Sequence, residues 1–199
     1  IPLLMIHGSG GGHDQGMAFA RPLTQHGIRV IAMSRFGYLR TPRPADASPE
    51  AQADAHACLL DALGIDKAAV LGASAGAPSA LQTALRHPQR VSALVLAVPI
   101  TYHPDAAKPL PVADDALLTR LLGSDFLFWA GLHVARNAVF RYVLATPPEL
   151  LRAASTTERE RADAMADGIL PVSLRVAGLH DDTGLGRRLG ATALESIRV

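Results

Sequence analysis

Short apolar runs alternate with amphipathic helical patterns along the first hundred residues. The apolar runs predict four strands, at residues 3–6, 28–33, 68–71 and 91–98. Helical patterns occupy the stretches between them, at 14–26, 48–63 and 75–86. The run VSALVLAV at 91–98 has no alternation of apolar and polar residues, which is typical of a parallel strand buried on both faces. This rhythm predicts an α/β fold, a mostly parallel sheet with helices on both faces.

Local signals mark the ends of the helix at 48–63. Ser48 is a favourable N-cap, Pro49 fits the first turn, and Gly64 is a typical stop. Gly27 ends the preceding helix in the same way. Helical spacing predicts that the 48–63 helix buries one small, apolar stripe, made of Ala51, Ala55, Cys58, Leu59, Ala62 and Leu63.

The rhythm of strand and helix stops after Pro99. Prolines interrupt residues 101–175, and helical patterns continue without a strand until 172–176. We therefore predict a helical insertion that lies over the sheet, followed by a last helix at 185–195. The charged run at 158–163 is expected to be a solvated helix face. Three aromatic residues are expected to form the core of the insertion, with pocket lining as the alternative: Phe126, Phe128 and Trp129.

Composition narrows the classes of partner. Nineteen Lys and Arg balance eighteen Asp and Glu without a basic stripe, so nucleic acid is not an expected partner. The single cysteine, Cys58, excludes an internal disulfide. No transmembrane segment is predicted, because charges interrupt the most apolar stretch at 117–144. We expect a cytoplasmic protein, and the start at Ile1, directly before an apolar strand, suggests that a segment precedes it.

The pentapeptide Gly72-Ala73-Ser74-Ala75-Gly76 carries the most specific chemistry. It has the form G-x-S-x-G and lies between a predicted strand and a predicted helix, as a nucleophile elbow does. The small flanking residues permit a tight, strained turn that lifts the serine hydroxyl clear of the sheet. The alternative is that Ser74 is simply a helix N-cap.

A glycine-rich loop after the first strand provides the second element of such a site. His7-Gly8-Ser9-Gly10-Gly11-Gly12 can turn backbone amides toward a ligand. We predict an oxyanion hole formed by the amide of Ala75 and that of Ser9 or Gly10. A phosphate-binding loop and a plain flexible loop are the alternatives, although no lysine follows as a P-loop requires. His7 itself is expected to hold the loop rather than to act in catalysis.

Four segments together resemble the α/β-hydrolase superfamily, in its order and spacing. They read LLMIHGSGGG, VIAMSRFGYLRTP, QADAHACLLDALGIDKAAVLGASAGA and ALRHPQRVSALVLAVP, and they cover essentially all of residues 1–99. The resemblance implies a nucleophile at Ser74. It also implies that residues 1–100 are the N-terminal part of the core, that 101–184 are a helical cap, and that 185–199 return toward the core.

The catalytic acid and base are harder to place. In this superfamily the chain order is Ser, then Asp or Glu, then His. The histidines after Ser74 are His87, His103, His133 and His180, and none follows a final strand. Asp181 and Asp182 follow an apolar run and are candidates for the acid, although this segment fits the cap as well. We therefore expect that the chain is truncated at both ends and that its base, together with its acid unless Asp181 or Asp182 serves, lies beyond residue 199.

These observations predict a serine hydrolase of a small-molecule carbonyl substrate. Ser74 would form an acyl-enzyme with an ester, thioester, lactone or activated carbon–carbon substrate. No cofactor and no metal site are expected. Arg35 and Arg40 could contact an acidic substrate group, but ion-paired or solvated arginines are more common. The alternative class is a non-catalytic, hydrolase-like binding protein or an inactive fragment.

Overall fold

Four parallel strands form one sheet at the centre of the first hundred residues. The computed structural model describes residues 1–102, 123–183, 185–191 and 193–199. The strand order is β2-β1-β3-β4. The strands are β1 (Pro2–Ile6), β2 (Arg29–Met33), β3 (Ala68–Ala73) and β4 (Val91–Ala97). Ile6, at the end of β1, pairs with Met33 on one side and with Gly72 on the other. The predicted α/β class is therefore confirmed.

Helices connect the strands where the end signals predict them. They are α1 (His13–Ala20), α2 (Pro49–Ala62) and α3 (Ala77–Arg86), and a 3₁₀ segment at Arg21–His26 extends α1. The Ser48 hydroxyl accepts a hydrogen bond from the Ala51 amide at 3.2 Å, as an N-cap does. Gly27 and Gly64 follow their helices with φ of 74° and 63°, the left-handed conformation that stops a helix.

Two predictions about burial are wrong. The residues of α2 that are buried are Gln52, Ala53, His56, Ala57 and Leu60, not the predicted stripe, and Cys58 is exposed. The helix turns a partly polar face inward because that face finds hydrogen-bond partners on α3 and on the loop after β2. β4 lies at the edge of the sheet and is not buried on both faces; the Val95 side chain is 48% exposed.

The rest of the described chain, here called the helical region (residues 123–199), has its own small core. Its helices are α4 (Asp125–Val134), α5 (Arg136–Ala138) with a π turn at Val139–Val143, α6 (Pro148–Ala153), α7 (Thr156–Asp167), α8 (Val176–Asp182) and α9 (Leu185–Arg188). Phe128 belongs to the core, whereas Phe126 and Trp129 are 70% and 46% exposed. The charged positions 158–161 are mostly exposed, as predicted.

Two elements of this region differ from their predictions. The strand predicted at 172–176 is a 3₁₀ turn, Val172–Leu174, followed by the start of α8. The last predicted helix is shorter, since α9 ends at Arg188 and only a 3₁₀ turn follows at Leu194–Ser196. The first part of the predicted cap, residues 103–122, lies outside the described residues. In the part of the chain that is described, we find no helix with both the length and the apolar character needed to cross a bilayer.

Candidate active site

Ser74 occupies a strained turn at the carboxyl end of the central strand β3. Its φ is 49°, a left-handed conformation that costs a serine on the order of 1–3 kcal/mol. A short 3₁₀ turn, Ser74–Gly76, leads directly into α3. The Ser74 carbonyl accepts a hydrogen bond from the Ile100 amide at 3.1 Å, which helps to hold this conformation. Ser74 is partly exposed, so the sharp turn predicted for the pentapeptide is present and its residue is accessible.

The glycines around Ser74 are required by close approach of the backbone. A β-carbon on Gly76 would lie 2.6 Å from the carbonyl oxygens of both Ile6 and His7. A β-carbon on Gly72 would lie 2.6 Å from the Ala80 β-carbon. Such separations are far inside van der Waals contact, so only glycine fits either position without a shift of the turn.

The glycine-rich loop at residues 7–12, called the oxyanion loop below, lies directly against Ser74. A β-carbon on Gly8 would be 3.0 Å from the Ser74 β-carbon and 3.6 Å from Ser74 Oγ. The Gly11 amide donates to the Gly8 carbonyl at 3.2 Å and closes a tight turn. Ser9 and Gly10 form the tip of this turn, with Ser9 exposed and Gly10 at φ 72°. Gly8, which directly precedes Ser9, thus brings the oxyanion loop against the predicted nucleophile.

The amides of the two loop residues have different surroundings. The Gly10 amide donates to the Tyr38 hydroxyl, a long contact of 3.4 Å. No acceptor for the Ser9 amide is found among the residues that the structure describes. Ala75, which follows Ser74 in the turn, is buried. Of the Ser9 and Gly10 amides, that of Ser9 is therefore the one more available to donate a hydrogen bond to a ligand.

His7 is buried and holds the loop in place. Its Nε2 accepts from the Arg35 amide at 2.9 Å, which leaves Nδ1 as the donor to the Gly8 carbonyl at 2.7 Å. Burial, followed by the nearby Arg35 charge, lowers the pKa of His7 to about 3. The ring is neutral at pH 7 and both of its nitrogens are used, which fits the structural role expected for it.

Asp181 and Asp182 lie at the end of α8 and not after a strand, so the predicted setting for a catalytic acid is wrong. The Asp182 carboxylate accepts from Arg35 Nη1 and Nη2 at 2.9 and 2.6 Å and from the Tyr38 hydroxyl at 2.5 Å. Burial alone would lower the pKa of Arg35, but the Asp182 carboxylate outweighs it and the pKa is raised. Asp181 pairs with Arg43 nearer the surface. Each carboxylate is thus occupied by an arginine.

The histidines after Ser74 make other contacts. His87 Nε2 lies 2.7 Å from an Asp54 carboxylate oxygen, and His133 Nδ1 lies 2.8 Å from the Trp129 carbonyl. His103 lies outside the described residues. Among the residues that are described, no histidine is hydrogen-bonded to Ser74 Oγ.

A cavity of about 340 Å³ opens beside the elbow. Ala75 and Pro78 line it on the side of the turn, and Asp182 and Leu185 line it from the helical region. Arg35 also borders the cavity, but its guanidinium is already paired with Asp182. The ion-paired interpretation of Arg35 is therefore the one that the structure favours.

Sequence reasoning missed two residues at this site, Tyr38 and Arg175. The Tyr38 hydroxyl bridges the Gly10 amide and the Asp182 carboxylate, and Arg175 donates to the Gly11 carbonyl. These contacts join positions 28 to 164 residues apart. No spacing or local pattern in the sequence signals such pairs.

Comparison with known proteins places this geometry in a family. The family model for the alpha/beta hydrolase fold matches residues 1–162. A 2-hydroxymuconate semialdehyde hydrolase of Pseudomonas sp. (strain CF600) is 41% identical over 100 residues, which are 48% of this chain and 35% of the relative. A 2-hydroxy-6-oxononadienedioate/2-hydroxy-6-oxononatrienedioate hydrolase of Dechloromonas aromatica is 35% identical over 124 residues, covering 60% of this chain and 43% of the relative.

Solved structures agree with this assignment. An alpha/beta hydrolase fold protein from Nakamurella multipartita superposes with a TM-score of 0.69 at 30% identity, over 100% of this chain and 71% of its own. A probable hydrolytic enzyme from Pseudomonas aeruginosa PAO1 gives 0.68 at 23% identity, over 100% of this chain and 62% of its own, and supports the fold alone. The chain spans less than half the length of the curated relatives just named. The strained serine turn, the parallel sheet and these matches together show that the chain belongs to the alpha/beta hydrolase fold family.

Proposed function

We propose that this protein is a serine hydrolase in which Ser74 attacks a carbonyl carbon. The observation that carries the proposal is the φ of 49° at Ser74, between β3 and α3, with the oxyanion loop packed against the same residue. Backbone strain of this kind persists where the surrounding structure holds it, and it concentrates at active sites. A serine that served only as an N-cap would have extended backbone, as Ser48 does with φ −62° and ψ 158°.

The proposed reaction proceeds through an acyl-enzyme. Ser74 Oγ bonds to the carbonyl carbon, its proton passes to a base, and the C=O electron pair moves onto the oxygen. The resulting oxyanion accepts hydrogen bonds from the amides of Ala75 and of Ser9 or Gly10. Collapse expels the leaving group, which takes up the proton, and water then releases the acid and restores Ser74. Each amide donor would contribute on the order of 10²–10³ in rate.

Within the loop, Ser9 is the better candidate for the second donor. The Gly10 amide already faces the Tyr38 hydroxyl at 3.4 Å, whereas Ser9 lies at the exposed tip of the turn. The base would be a histidine other than His7, since both ring nitrogens of His7 are engaged. Asp181 and Asp182 remain candidates for the acid only as a prediction, because their arginine partners favour a structural role.

For the substrate, we propose an oxo-carboxylate whose aldehyde or ketone carbon is the point of attack. The two curated relatives described above are hydrolases of 2-hydroxymuconate semialdehyde and of 2-hydroxy-6-oxo dienedioates. The family model, which matches residues 1–162, includes both the elbow and the oxyanion loop. A simple ester is the second candidate, since the same attack and the same oxyanion would serve it. A cytoplasmic location remains part of this proposal.

The proposal is tested with the protein expressed together with any flanking residues that its gene encodes. We expect turnover of a 2-hydroxy-6-oxo dienoate to exceed turnover of p-nitrophenyl esters, and Ser74→Ala to lower kcat at least about 10³-fold. Ser92→Ala is the matched control, because Ser92 is exposed on β4 and does not line the cavity beside the elbow. Turnover that survives in Ser74→Ala would contradict the mechanism, and binding without turnover would favour a non-catalytic protein.

A further inference from the structure

We propose that Arg175 is a positioning residue of the oxyanion loop, an inference that rests on the function proposed for that loop. Arg175 lies just before α8 in the helical region, 164 residues from Gly11. Its Nη1 donates to the Gly11 carbonyl at 2.5 Å. The helical region thus reaches the loop beside Ser74 through one side chain.

The surroundings of Arg175 indicate a fixed contact. The residue is completely buried, and its Nη2 donates to the Gly168 carbonyl at 3.0 Å and to the Asp14 carboxylate at 2.7 Å. Its Nε is also buried and has no hydrogen-bond partner among the described residues. A buried guanidinium with several acceptors around it has little freedom to move, so the atoms that it holds are held firmly.

Arg175 also lies close to the backbone of the last glycine of the loop, Gly12. A β-carbon on Gly12 would lie 2.8 Å from Arg175 Nη1 and 2.5 Å from a methyl carbon of Leu39. A β-carbon on Gly11 would lie 2.2 Å from Gln15 Oε1 and 2.8 Å from His7 Nδ1. Arg175 and its partner Asp14 therefore lie directly against the backbone of Gly12, and His7 and Gln15 lie against that of Gly11.

Two anchors therefore hold the turn that carries Ser9 and Gly10. His7 holds the first end through the Gly8 carbonyl at 2.7 Å, and Arg175 holds the last end through the Gly11 carbonyl. Between them the peptide planes of Ser9 and Gly10 have little room to rotate. Because an oxyanion donor works only when it is aimed in advance, loss of one anchor weakens stabilisation of the transition state more than binding of the substrate.

The charge of Arg175 is balanced locally, so its effect on the reaction is through geometry. Asp14, in the first turn of α1, forms a salt bridge with Arg175 at 2.7 Å. Burial alone would raise the pKa of the Asp14 carboxyl, but the hydrogen bonds from Arg175 and the Gln15 amide outweigh it and the pKa is lowered. Asp14 is therefore ionised at neutral pH and offsets the positive charge near the loop.

The test compares Arg175→Met and Arg175→Lys with the wild-type protein, expressed together with any flanking residues that its gene encodes. We expect Arg175→Met to lower kcat about 10- to 100-fold while KM changes less than about threefold. A trifluoromethyl ketone that mimics the tetrahedral adduct should lose affinity by the same factor. Arg175→Lys can still donate to the Gly11 carbonyl and should recover part of the loss.

Arg136→Met is the matched control. Arg136 is an arginine of the helical region that pairs with Asp163 at 2.6 Å and makes no contact with the loop, so its removal should leave kcat and inhibitor affinity unchanged. If Arg175→Met does not fold, Arg175→Lys decides the question.

Folded Arg175 variants with wild-type kcat and inhibitor affinity would overturn this inference alone. A KM effect without a kcat effect would overturn it as well. A wild-type protein that never acylates Ser74 would overturn the proposed function and the inference with it.

Discussion

The sheet with its helices and the helical region are built on different principles. The sheet is filled by an aliphatic cluster that includes Leu4, Ile6 and Val70, all fully buried. The helical region is filled by a smaller, separate cluster that includes Phe128 and Phe140. Several contacts between the two regions at the candidate site are polar: Arg175 donates to Gly11, Arg35 pairs with Asp182, and two backbone hydrogen bonds join Leu39 to Leu174 and Gly178 to Gly37.

This difference shows how a reactive turn can be both rigid and accessible. The sheet holds Ser74 in place, because Ser74 directly follows β3 and β3 is hydrogen-bonded to a strand on each side. Charged and backbone hydrogen bonds from the helical region fix the loops above it. Directional contacts of this kind set the orientation of a peptide plane, which apolar packing cannot do.

The largest loss of stability is expected from a substitution at the elbow, which follows the central strand of the sheet. Gly76→Ala places a β-carbon 2.6 Å from the carbonyl oxygens of Ile6 and His7, so the turn has to move. We expect a loss of about 3 kcal/mol or more in the free energy of unfolding, measured by urea denaturation. The control is Gly190→Ala in the helical region, where the added carbon meets nothing within 4 Å. Equal stability of the two variants would contradict the close approach at the elbow.

The next largest loss of stability is expected from removal of the ion pair between Arg35 and Asp182, which joins the sheet to the helical region. Asp182→Asn leaves the buried Arg35 guanidinium without its charge partner, and we expect a loss of about 3 kcal/mol in the free energy of unfolding. Asp181→Asn is a matched neighbour whose partner, Arg43, is 49% exposed, so its cost should stay below about 1 kcal/mol. Denaturation of both variants measures the difference. If Asp181→Asn proved the costlier, the buried pair would not be the one that joins the regions.

A third effect is a loss of stability at acid pH, which arises from two buried histidines in the part of the chain that forms the sheet and its helices. Burial, as the largest cause, lowers the pKa of His7 and of His56 from 6.5 to about 3. The unfolded chain therefore takes up protons at these residues below about pH 6.5 while the folded protein does not, so stability falls as the pH falls toward 3. Between pH 6.5 and 5 this amounts to about 2 kcal/mol for each histidine.

Denaturation of the wild type at pH 7 and pH 5 measures this effect. His56→Gln should remove about half of the change in stability between these pH values, because His7 still contributes its share. Substitution of the exposed His26 by Gln should leave that change intact. A wild-type stability that does not change between these pH values would contradict the neutral, buried state of the two rings.

The smallest effect compares one helix cap from each region. Ser48 caps α2 and Ser155 caps α7, each by accepting from a backbone amide at 3.2 Å. We expect each serine-to-alanine variant to lose about 1 kcal/mol in the free energy of unfolding. Urea denaturation that shows a cost for neither variant would mean that these side chains do not cap their helices.

The strands, helices and elbow of the first hundred residues could be predicted because the sequence patterns that determine them are local. Four apolar runs, a Ser-Pro helix start and the glycines of the elbow each constrain their own neighbourhood, and the structure forms strands, helix and turn there. The buried face of α2 could not be predicted in this way. His56 and Gln52 turn inward only because Thr83 and the Phe36 amide supply partners from other elements.

The helical region could be predicted only as helical. The apolar residues at 172–176 fit a strand as well as a helix, and the tertiary contacts of α8 decide for the helix. The roles of Arg175 and Asp182 depend on contacts with residues 164 and 147 positions away. Residues so far apart in the chain form no periodic or local pattern from which their contact could be predicted.

Covalent labelling with a fluorophosphonate probe, followed by peptide mapping of the protein expressed with any flanking residues that its gene encodes, tests whether Ser74 is the nucleophile. We expect one adduct, on the peptide that contains Ser74. The adduct should be absent from Ser74→Ala and retained in Ser92→Ala. An adduct on another residue, or turnover of a carbonyl substrate without any adduct at Ser74, would contradict this role of Ser74.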